Sequence, residues 1–361
     1  MDLVSLDRNF SHQPEIDDKD CKFYDIRKAP FEIHGLVIDD DNSFRRMKQT
    51  EADKINDGVS WLSGDTSGGR VRFSTDCDYV ALKVKMPYLM YPHQPLSGCA
   101  GFALFVDENG KSKFFKGFIP PNRFNDEWQY IIRFSDKKIR NLTIWFPTYS
   151  HVLDVKVGLN KNSYVGKNIE RYRDIKPIVF YGGSHVQGGC ASSPSNCYPG
   201  FLSRWFNFDF YNLSFSGSAL GEKEMAKYIA EMDMSIFVMD YDHNAPNPEY
   251  LRKTHYSFYK NIREKHPNIP IIMVSKHDFN TISYYVKSQQ ENVDRRQVVI
   301  DSYERAKSEG DKNVYFLDGK TLLERDDGDC GTVDGTHPND LGFYMIAQAF
   351  KPIIEKLLKE N

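Results

Sequence analysis

A serine, a histidine and an aspartate in this chain are spaced so that they could form a nucleophile, its base and the orienter of that base. Ser184 ends a tight glycine-rich turn, Tyr181–Ser184, directly after the apolar run Pro177–Phe180. His337 lies about 150 residues downstream, three positions after Asp334. An aspartate at this spacing can turn back onto the imidazole, and such a turn can present the serine hydroxyl at the carboxyl edge of a sheet. The set predicts nucleophilic catalysis by Ser184, with His337 as the base and Asp334 as the triad acid.

Two further positions predict donors for a developing negative charge. Gly217 closes the segment Asn212–Gly217, and Asn244 closes Asp242–Asn244; each segment follows an apolar run. Because both segments follow predicted strands, we expect them at the same sheet edge as Ser184. A glycine N–H and an asparagine amide are neutral, fixed donors. The predicted oxyanion hole therefore comprises Gly217, Asn244 and the N–H of Ser184.

Four other side chains are candidates for contact with substrate: His185, Tyr91, His93 and His243. His243 is also a rival for the role of base, but it lacks a sequence-local carboxylate on the matching side. His185 adjoins the nucleophile, and packing or substrate contact is a better interpretation of it than base chemistry. Tyr91 and His93 belong to a loop, 88–93, that forms either a solvated hairpin tip or a flap over the substrate pocket.

The elements that must position these residues alternate between strand and helix from residue 177 to residue 361. The pattern predicts strands at 177–181, 209–213, 235–240, 269–275 and 313–317. It predicts helices at 195–207, 221–232, 248–266, 290–309 and 340–358. Five strands that alternate with helices indicate an α/β fold with three α/β/α layers and a five-stranded parallel sheet.

Residues 1–165 show a different pattern, in which apolar and polar residues alternate over short runs separated by turn signals. Examples of these runs are Val71–Ser74, Val80–Met86, Phe102–Val106, Leu142–Phe146 and Val152–Val157. Short strands at this spacing predict an N-terminal β-sandwich or jelly roll. The polar stretch 166–176 is interpreted as the linker to the α/β domain.

Composition excludes several classes of function. The net charge of −3 offers no basic field to nucleic acid or to an anionic membrane, and no apolar run approaches the length of a membrane span. The N-terminus shows no signal peptide, so a cytoplasmic location is expected, and a homo-oligomer is compatible with the chain. The six cysteines lack metal-site spacing, and free thiols are favoured over a Cys190–Cys197 disulfide. We expect neither a metal nor a cofactor.

The four chemical blocks, carrying Ser184, Gly217, Asn244 and His337 in that order, resemble the SGNH (GDSL-like) hydrolase superfamily. The resemblance is closer to a two-domain bacterial branch with an N-terminal β-sandwich, in which the serine block reads roughly YGSSITQGGCASRP. Here residues 181–194 read YGGSHVQGGCASSP, and 332–343 read TVDGTHPNDLGF. The stretch GFALF at 101–105 is similar to the "GxDLY" element of that branch in a degenerate form.

Three residues depart from the pattern of the family, and each could reshape the acyl pocket: Gly183 stands where relatives carry Asp or Ser, Asp242 where they carry Gly, and His185 where they carry an aliphatic residue. The resemblance implies a serine esterase that removes O-acetyl groups from carbohydrate, such as xylo- or manno-oligosaccharides. Two alternatives stay open at this point. One is a lipid or thioester acyl hydrolase that uses the same triad, and the other is a carbohydrate-binding protein whose catalytic domain has decayed.

Overall fold

The structure is a computed structural model that describes residues 6–7, 16–89, 91–277, 286–323 and 331–360. Its N-terminal domain contains two antiparallel sheets that enclose a common apolar core. The first sheet has the order β1-β11-β6-β9, and the second has the order β12-β5-β10-β7-β8 with β2 paired to β5. The strands are β1 Cys21–Asp25, β2 Glu32–His34, β3 Val37–Ile38, β4 Phe44–Arg45, β5 Arg70–Thr75, β6 Tyr79–Lys85, β7 Phe102–Glu108, β8 Lys111–Phe118, β9 Glu127–Arg133, β10 Arg140–Trp145, β11 Asp154–Asn160 and β12 Val165–Gly166.

The C-terminal domain contains one parallel sheet with the order β14-β13-β15-β16-β17. Its strands are β13 Ile178–Gly182, β14 Phe210–Ser214, β15 Ile236–Asp240, β16 Ile271–Val274 and β17 Val314–Leu317. The three central strands, β13, β15 and β16, are buried along their whole length, because helices cover both faces of the sheet. The five-stranded parallel sheet that the sequence predicts is confirmed.

The helices of the described residues include the five that the sequence predicts, each with bounds shifted by a few residues at most. The helices are α1 Gln49–Ala52, α2 Asp57–Leu62, α3 Leu96–Cys99, α4 Ser184–Gln187, α5 Tyr198–Phe206, α6 Lys223–Ala230, α7 Pro248–Lys265, α8 Val286–Ser308 and α9 Asp340–Glu360. The start of α7 shows why local signals suffice: Asn247 caps it by accepting from the N–H of Tyr250 at 2.8 Å, and Pro248 occupies the first turn. None of the described helices is long and apolar enough to cross a membrane.

The sequence pattern does not predict several elements of the N-terminal domain. Strand β8 reads KSKFFKGF and lies at the edge of its sheet, where seven of its eight residues are not buried. With most of its side chains outside the core, the alternation that marks a half-buried strand is absent. Helices α1 and α2 are also unpredicted, because they are too short to build a periodic stripe. Cys190 and Cys197 both carry free thiols.

The two domains contact each other through buried polar groups. The guanidinium of Arg70 is fully buried and donates to Asp209 Oδ1 at 2.9 Å and to the carbonyl of Phe210 at 2.8 Å. Gly98 of α3 packs so closely on Ala191 that a Cβ at residue 98 would lie 1.8 Å from the Ala191 carbonyl oxygen. The N-terminal domain therefore supports the segment that follows Ser184.

Candidate active site

Strand register brings three of the chemical blocks to one edge of the parallel sheet. Gly182 at the end of β13 is paired with Ser214 of β14 on one side and with Asp240 of β15 on the other. The loops that carry Ser184, Gly217 and Asn244 therefore begin at the same level, at the carboxyl ends of these three strands. The strand order reverses between β13 and β15, and open α/β sheets bind their ligands in the crevice at such a switch point.

Ser184 is the first residue of α4, directly after the Gly182–Gly183 turn that ends β13. It is buried, with 6% of its surface exposed. Gly183 explains one departure from the family pattern: a Cβ there would lie 2.8 Å from Asn244 Oδ1 and 3.0 Å from Asn244 Nδ2. In this chain the amide of Asn244 thus occupies the space that a side chain at residue 183 would need.

Asp334 and His337 are joined within one tight turn. The Asp334 carboxylate accepts from His337 Nδ1 at 2.7 Å through Oδ2, and from the backbone N–H groups of His337 at 2.8 Å and Thr336 at 3.0 Å through Oδ1. Partial burial opposes the ionisation of Asp334, but these donors outweigh it and lower the pKa of its carboxyl to about 2. The ionised carboxylate can only accept, so Nδ1 of His337 carries a proton and the lone pair of the neutral ring lies on Nε2.

The surroundings of Gly189 show where His337 lies relative to the residues that follow Ser184. A Cβ on Gly189 would lie 3.5 Å from His337 Cδ2 and 3.3 Å from the carbonyl oxygen of Ser184. The Cδ2 edge of the ring, which adjoins Nε2, therefore faces the segment that immediately follows α4. The Asp334–His337 pair therefore lies beside the segment that follows Ser184.

The predicted oxyanion residues lie around the same turn. Asn244 Nδ2 donates to the carbonyl of Phe215 at 3.0 Å, which uses one of its two amide hydrogens and fixes the plane of the amide. Gly217 has a φ of +65° and nothing within 4 Å of the position of a Cβ, so its backbone borders open space. A left-handed residue beside an open space is a position that glycine suits.

Two of the predicted substrate contacts, His185 and His243, lie in a group of three imidazoles with His277, of which His185 and His277 are buried and His243 is half-buried. The ring of His185 is 4.6 Å from that of His277 and 5.5 Å from that of His243, and His185 Nε2 lies 2.9 Å from Asp240 Oδ1. His185 is 2% exposed, a placement that favours the packing role over contact with substrate. The carboxylate preceding His243, Asp242, accepts from the backbone N–H of Lys276 at 2.8 Å. Burial raises the pKa of Asp242 to about 7.

The loop that carries Tyr91 and His93 reaches the active site from the N-terminal domain. The ring of His93 lies 5.4 Å from that of His337, and the ring of Tyr91 lies 5.9 Å from that of Tyr149. The hydroxyl of Tyr149 donates to the carbonyl of Ser184 at 3.4 Å. Of the two interpretations of this loop, the placement favours the flap.

Sequence reasoning missed several residues that hold the site together. Gln187, at the end of α4, accepts from the N–H of Ser216 at 3.0 Å and donates to Asp65 at 2.8 Å. His277 Nε2 donates to the carbonyl of Thr336 at 2.9 Å, next to His337. A signal existed only for Gln187, which lies within the serine block three positions after the nucleophile. His277 joins the site through packing that no local pattern reports.

The sequence profile of the GDSL-like Lipase/Acylhydrolase family matches residues 175–355. This chain belongs to that family. A second profile, the GxDLY N-terminus of Esterase_SGNH_hydro-type proteins, matches residues 21–165. The family assignment makes this protein a hydrolase of the SGNH/GDSL esterase class, as the motifs predict. A search of curated proteins finds no match.

Solved structures with the same two-domain arrangement support the fold. A protein described as a GDSL-like lipase, from Bacteroides ovatus, is 26% identical with a TM-score of 0.85, and the match covers 94% of this chain and 98% of that one. A family two carbohydrate esterase from Clostridium thermocellum, solved with cellohexaose, is 13% identical with a TM-score of 0.61 and a coverage of 91% and 99%. An acetyl xylan esterase from Butyrivibrio proteoclasticus is 12% identical with a TM-score of 0.58 and a coverage of 94% and 99%.

Proposed function

We propose that this GDSL-family protein is a serine esterase that removes O-acetyl groups from carbohydrate. The observation that carries the proposal is the 2.7 Å hydrogen bond between His337 Nδ1 and Asp334, in a turn beside Ser184. That bond leaves a lone pair on Nε2, at the edge of the ring that faces the nucleophile segment. A hydroxyl with an oriented neutral imidazole is the activated nucleophile that acyl transfer requires.

In the first half of the reaction Ser184 Oγ forms a bond to the acetyl carbonyl carbon while its proton passes to His337 Nε2. The carbonyl oxygen becomes an oxyanion, which accepts from the N–H groups of Ser184 and Gly217 and from the Asn244 amide. The bond to the sugar oxygen then breaks as the imidazolium returns the proton to that oxygen. In the second half, water repeats these steps on the acyl-enzyme and releases acetate.

The carbohydrate part of the proposal rests on two supports. One is the resemblance of the serine and histidine blocks to a branch that contains carbohydrate esterases. The other is the shared fold of the two carbohydrate esterases above, whose likeness to this chain covers both domains. Acetylated xylo- or manno-oligosaccharides are the substrates that we expect.

Acetate release from a panel of acetylated xylo- and manno-oligosaccharides, read by mass spectrometry, tests the proposal, with Ser184→Ala as the matched inactive control. We expect acetyl loss with the unchanged chain and none with the variant. Rates on p-nitrophenyl acetate and p-nitrophenyl decanoate separate the acetylesterase from a lipid acyl hydrolase, which would prefer the longer chain. Labelling of Ser184 by a fluorophosphonate separates either enzyme from a binding protein with a decayed site.

A further inference from the structure

Three potential metal ligands converge at the mouth of the active site. The ligand atoms of His93, Cys190 and His337 all lie within 4.8 Å of one another. They come from three separate segments: the loop after β6, the stretch after α4 and the turn before α9. We propose that these residues form a transition-metal site, suited to Zn²⁺, and that a metal bound there switches the esterase off.

The chemistry of the set fits a borderline-soft divalent cation. Two imidazoles and one thiolate are ligands that zinc prefers, and three protein ligands leave a fourth tetrahedral position for water. An ion centred among three atoms that are at most 4.8 Å apart lies at most about 2.8 Å from each. Zinc binds sulfur at about 2.3 Å and nitrogen at about 2.0–2.1 Å, so a contraction of at most about 0.5 Å for the thiolate and about 0.8 Å for each imidazole completes the site. His93 is the exposed member of the three, so its side chain is the one least restrained by packing.

His337 is already prepared as a ligand. Metal-binding histidines commonly donate their second ring N–H to a carboxylate, which fixes the tautomer and raises the basicity of the ligating nitrogen. Asp334 does this here, at 2.7 Å from Nδ1, and directs the lone pair to Nε2. The arrangement that equips His337 as a base therefore equips it equally as a ligand.

Cys190 is held in place by its backbone rather than by chance packing. Its φ of +72° lies in the left-handed region that residues other than glycine rarely adopt. The neighbouring Ala191 carbonyl abuts Gly98 of the N-terminal domain, and Gly189 lies close to the Ser184 carbonyl. Cys190 is 4% exposed, and a coordinated cation deprotonates a thiol outright.

Inhibition follows directly, because a metal on Nε2 of His337 occupies the lone pair that must accept the Ser184 proton. This consequence rests on the proposed function, in which His337 is the base. Binding of the metal does not depend on the proposed function, since it requires only the three ligands. The two can therefore be tested separately.

The experiment titrates metal-free protein with Zn²⁺, followed by calorimetry, and with Co²⁺, followed by absorption spectroscopy. It also measures how far Zn²⁺ inhibits the hydrolysis of p-nitrophenyl acetate, relative to each variant's own rate without metal. The test variants are His93→Gln and Cys190→Ser. The matched controls are Cys21→Ser, a half-buried thiol on β1, and His266→Gln, which follows α7 at the opposite edge of the parallel sheet. Loss of a group that only hydrogen-bonds to a metal ligand weakens metal affinity by about 10–100-fold, so loss of a ligand itself should weaken it at least tenfold.

We expect one Zn²⁺ per chain and a thiolate-to-Co²⁺ charge-transfer band that Cys190→Ser abolishes. The affinity for Zn²⁺ should be at least tenfold weaker in both test variants and unchanged in both controls. Unchanged Zn²⁺ affinity in both test variants, or no stoichiometric binding by the unchanged chain, overturns the proposal. If Cys190→Ser fails to fold, the exposed His93→Gln variant decides alone. Metal binding without esterase activity retains the metal site and rejects the proposed function, and activity without metal binding does the reverse.

Discussion

Asp334 accepts hydrogen bonds from two different nitrogens of His337, the ring Nδ1 at 2.7 Å and the backbone N at 2.8 Å. One carboxylate thus fixes both the conformation of the turn and the orientation and tautomer of the ring. The carbonyl of the intervening Thr336 is held in turn by His277, at 2.9 Å. The geometry of the Asp334–His337 pair therefore depends on a loop whose two sides are fixed by different elements.

Replacement of the nucleophile gives the sharpest test of the site. Ser184→Ala should abolish esterase activity, by a factor on the order of 10⁶, because the members of a triad act as a unit. The variant should melt at the temperature of the unchanged chain, since only one hydroxyl is removed. Turnover of a small acetyl ester and thermal unfolding measure the two properties. A variant that retains a tenth of the activity would exclude Ser184 as the nucleophile.

The base is identified by comparing three variants on one small acetyl ester. His337→Ala should be nearly as inactive as Ser184→Ala, whereas Asp334→Asn should retain more activity, with a drop of roughly 10⁴ in kcat. His243→Ala should be milder, because His243 packs on the ring of His277 rather than beside Asp334. An inactive His243→Ala beside an active His337→Ala would reverse the assignment.

Asn244→Ala should lower kcat by roughly 10²–10³-fold with little change in KM, because an oxyanion donor acts mainly on the transition state. Steady-state kinetics on the same ester separates the two constants. An effect on KM alone would make Asn244 a contact for the ground-state substrate.

Gly183→Ala tests the same amide without removing it. The new Cβ would lie 2.8 Å from Asn244 Oδ1, and the amide, as the end of a side chain, is the group that must move. We expect kcat to fall by at least about tenfold while the melting temperature changes by only a few degrees, since a small displacement of a catalytic group is costly. Normal kinetics in this variant would show that the amide position is not critical.

Asp65 predicts a pH dependence of stability. It is fully buried beside Arg46, and burial outweighs the attraction of that guanidinium and raises the pKa of Asp65 to about 7. The folded state then keeps a proton that the unfolded chain releases above about pH 4, so the contribution of Asp65 to stability falls as the pH rises from about 4 to 7.

The measurement compares the free energy of unfolding of the unchanged chain and Asp65→Asn, by denaturant titration across this range. As the pH rises, the free energy of unfolding of the unchanged chain should fall relative to that of Asp65→Asn by at most about 1.4 kcal/mol per pH unit, because one proton is linked to unfolding. A difference that is independent of pH would mean that Arg46 keeps Asp65 ionised in the folded state.

Local chemistry determined much of this protein from its sequence alone. The alternation of strands and helices after residue 177 and the cap of α7 are set by neighbours in the chain, and the structure has them within a few residues of the prediction. The same holds for the Asp334–His337 spacing, because three residues suffice for the carboxylate to reach the ring. Blocks that end parallel strands must meet at one edge, so sequence also indicated which of them share a site.

Only the tertiary structure decided what packs around those blocks. That Gly183 makes room for the Asn244 amide, that Gln187 connects Ser216 to Asp65, and that His93 reaches His337 all depend on contacts between distant segments. The direction of the His185 ring, toward Asp240, follows from its position on α4 rather than from its place beside the nucleophile. Such contacts are set by how two domains and a sheet edge pack together, and no periodicity within a single segment encodes that packing.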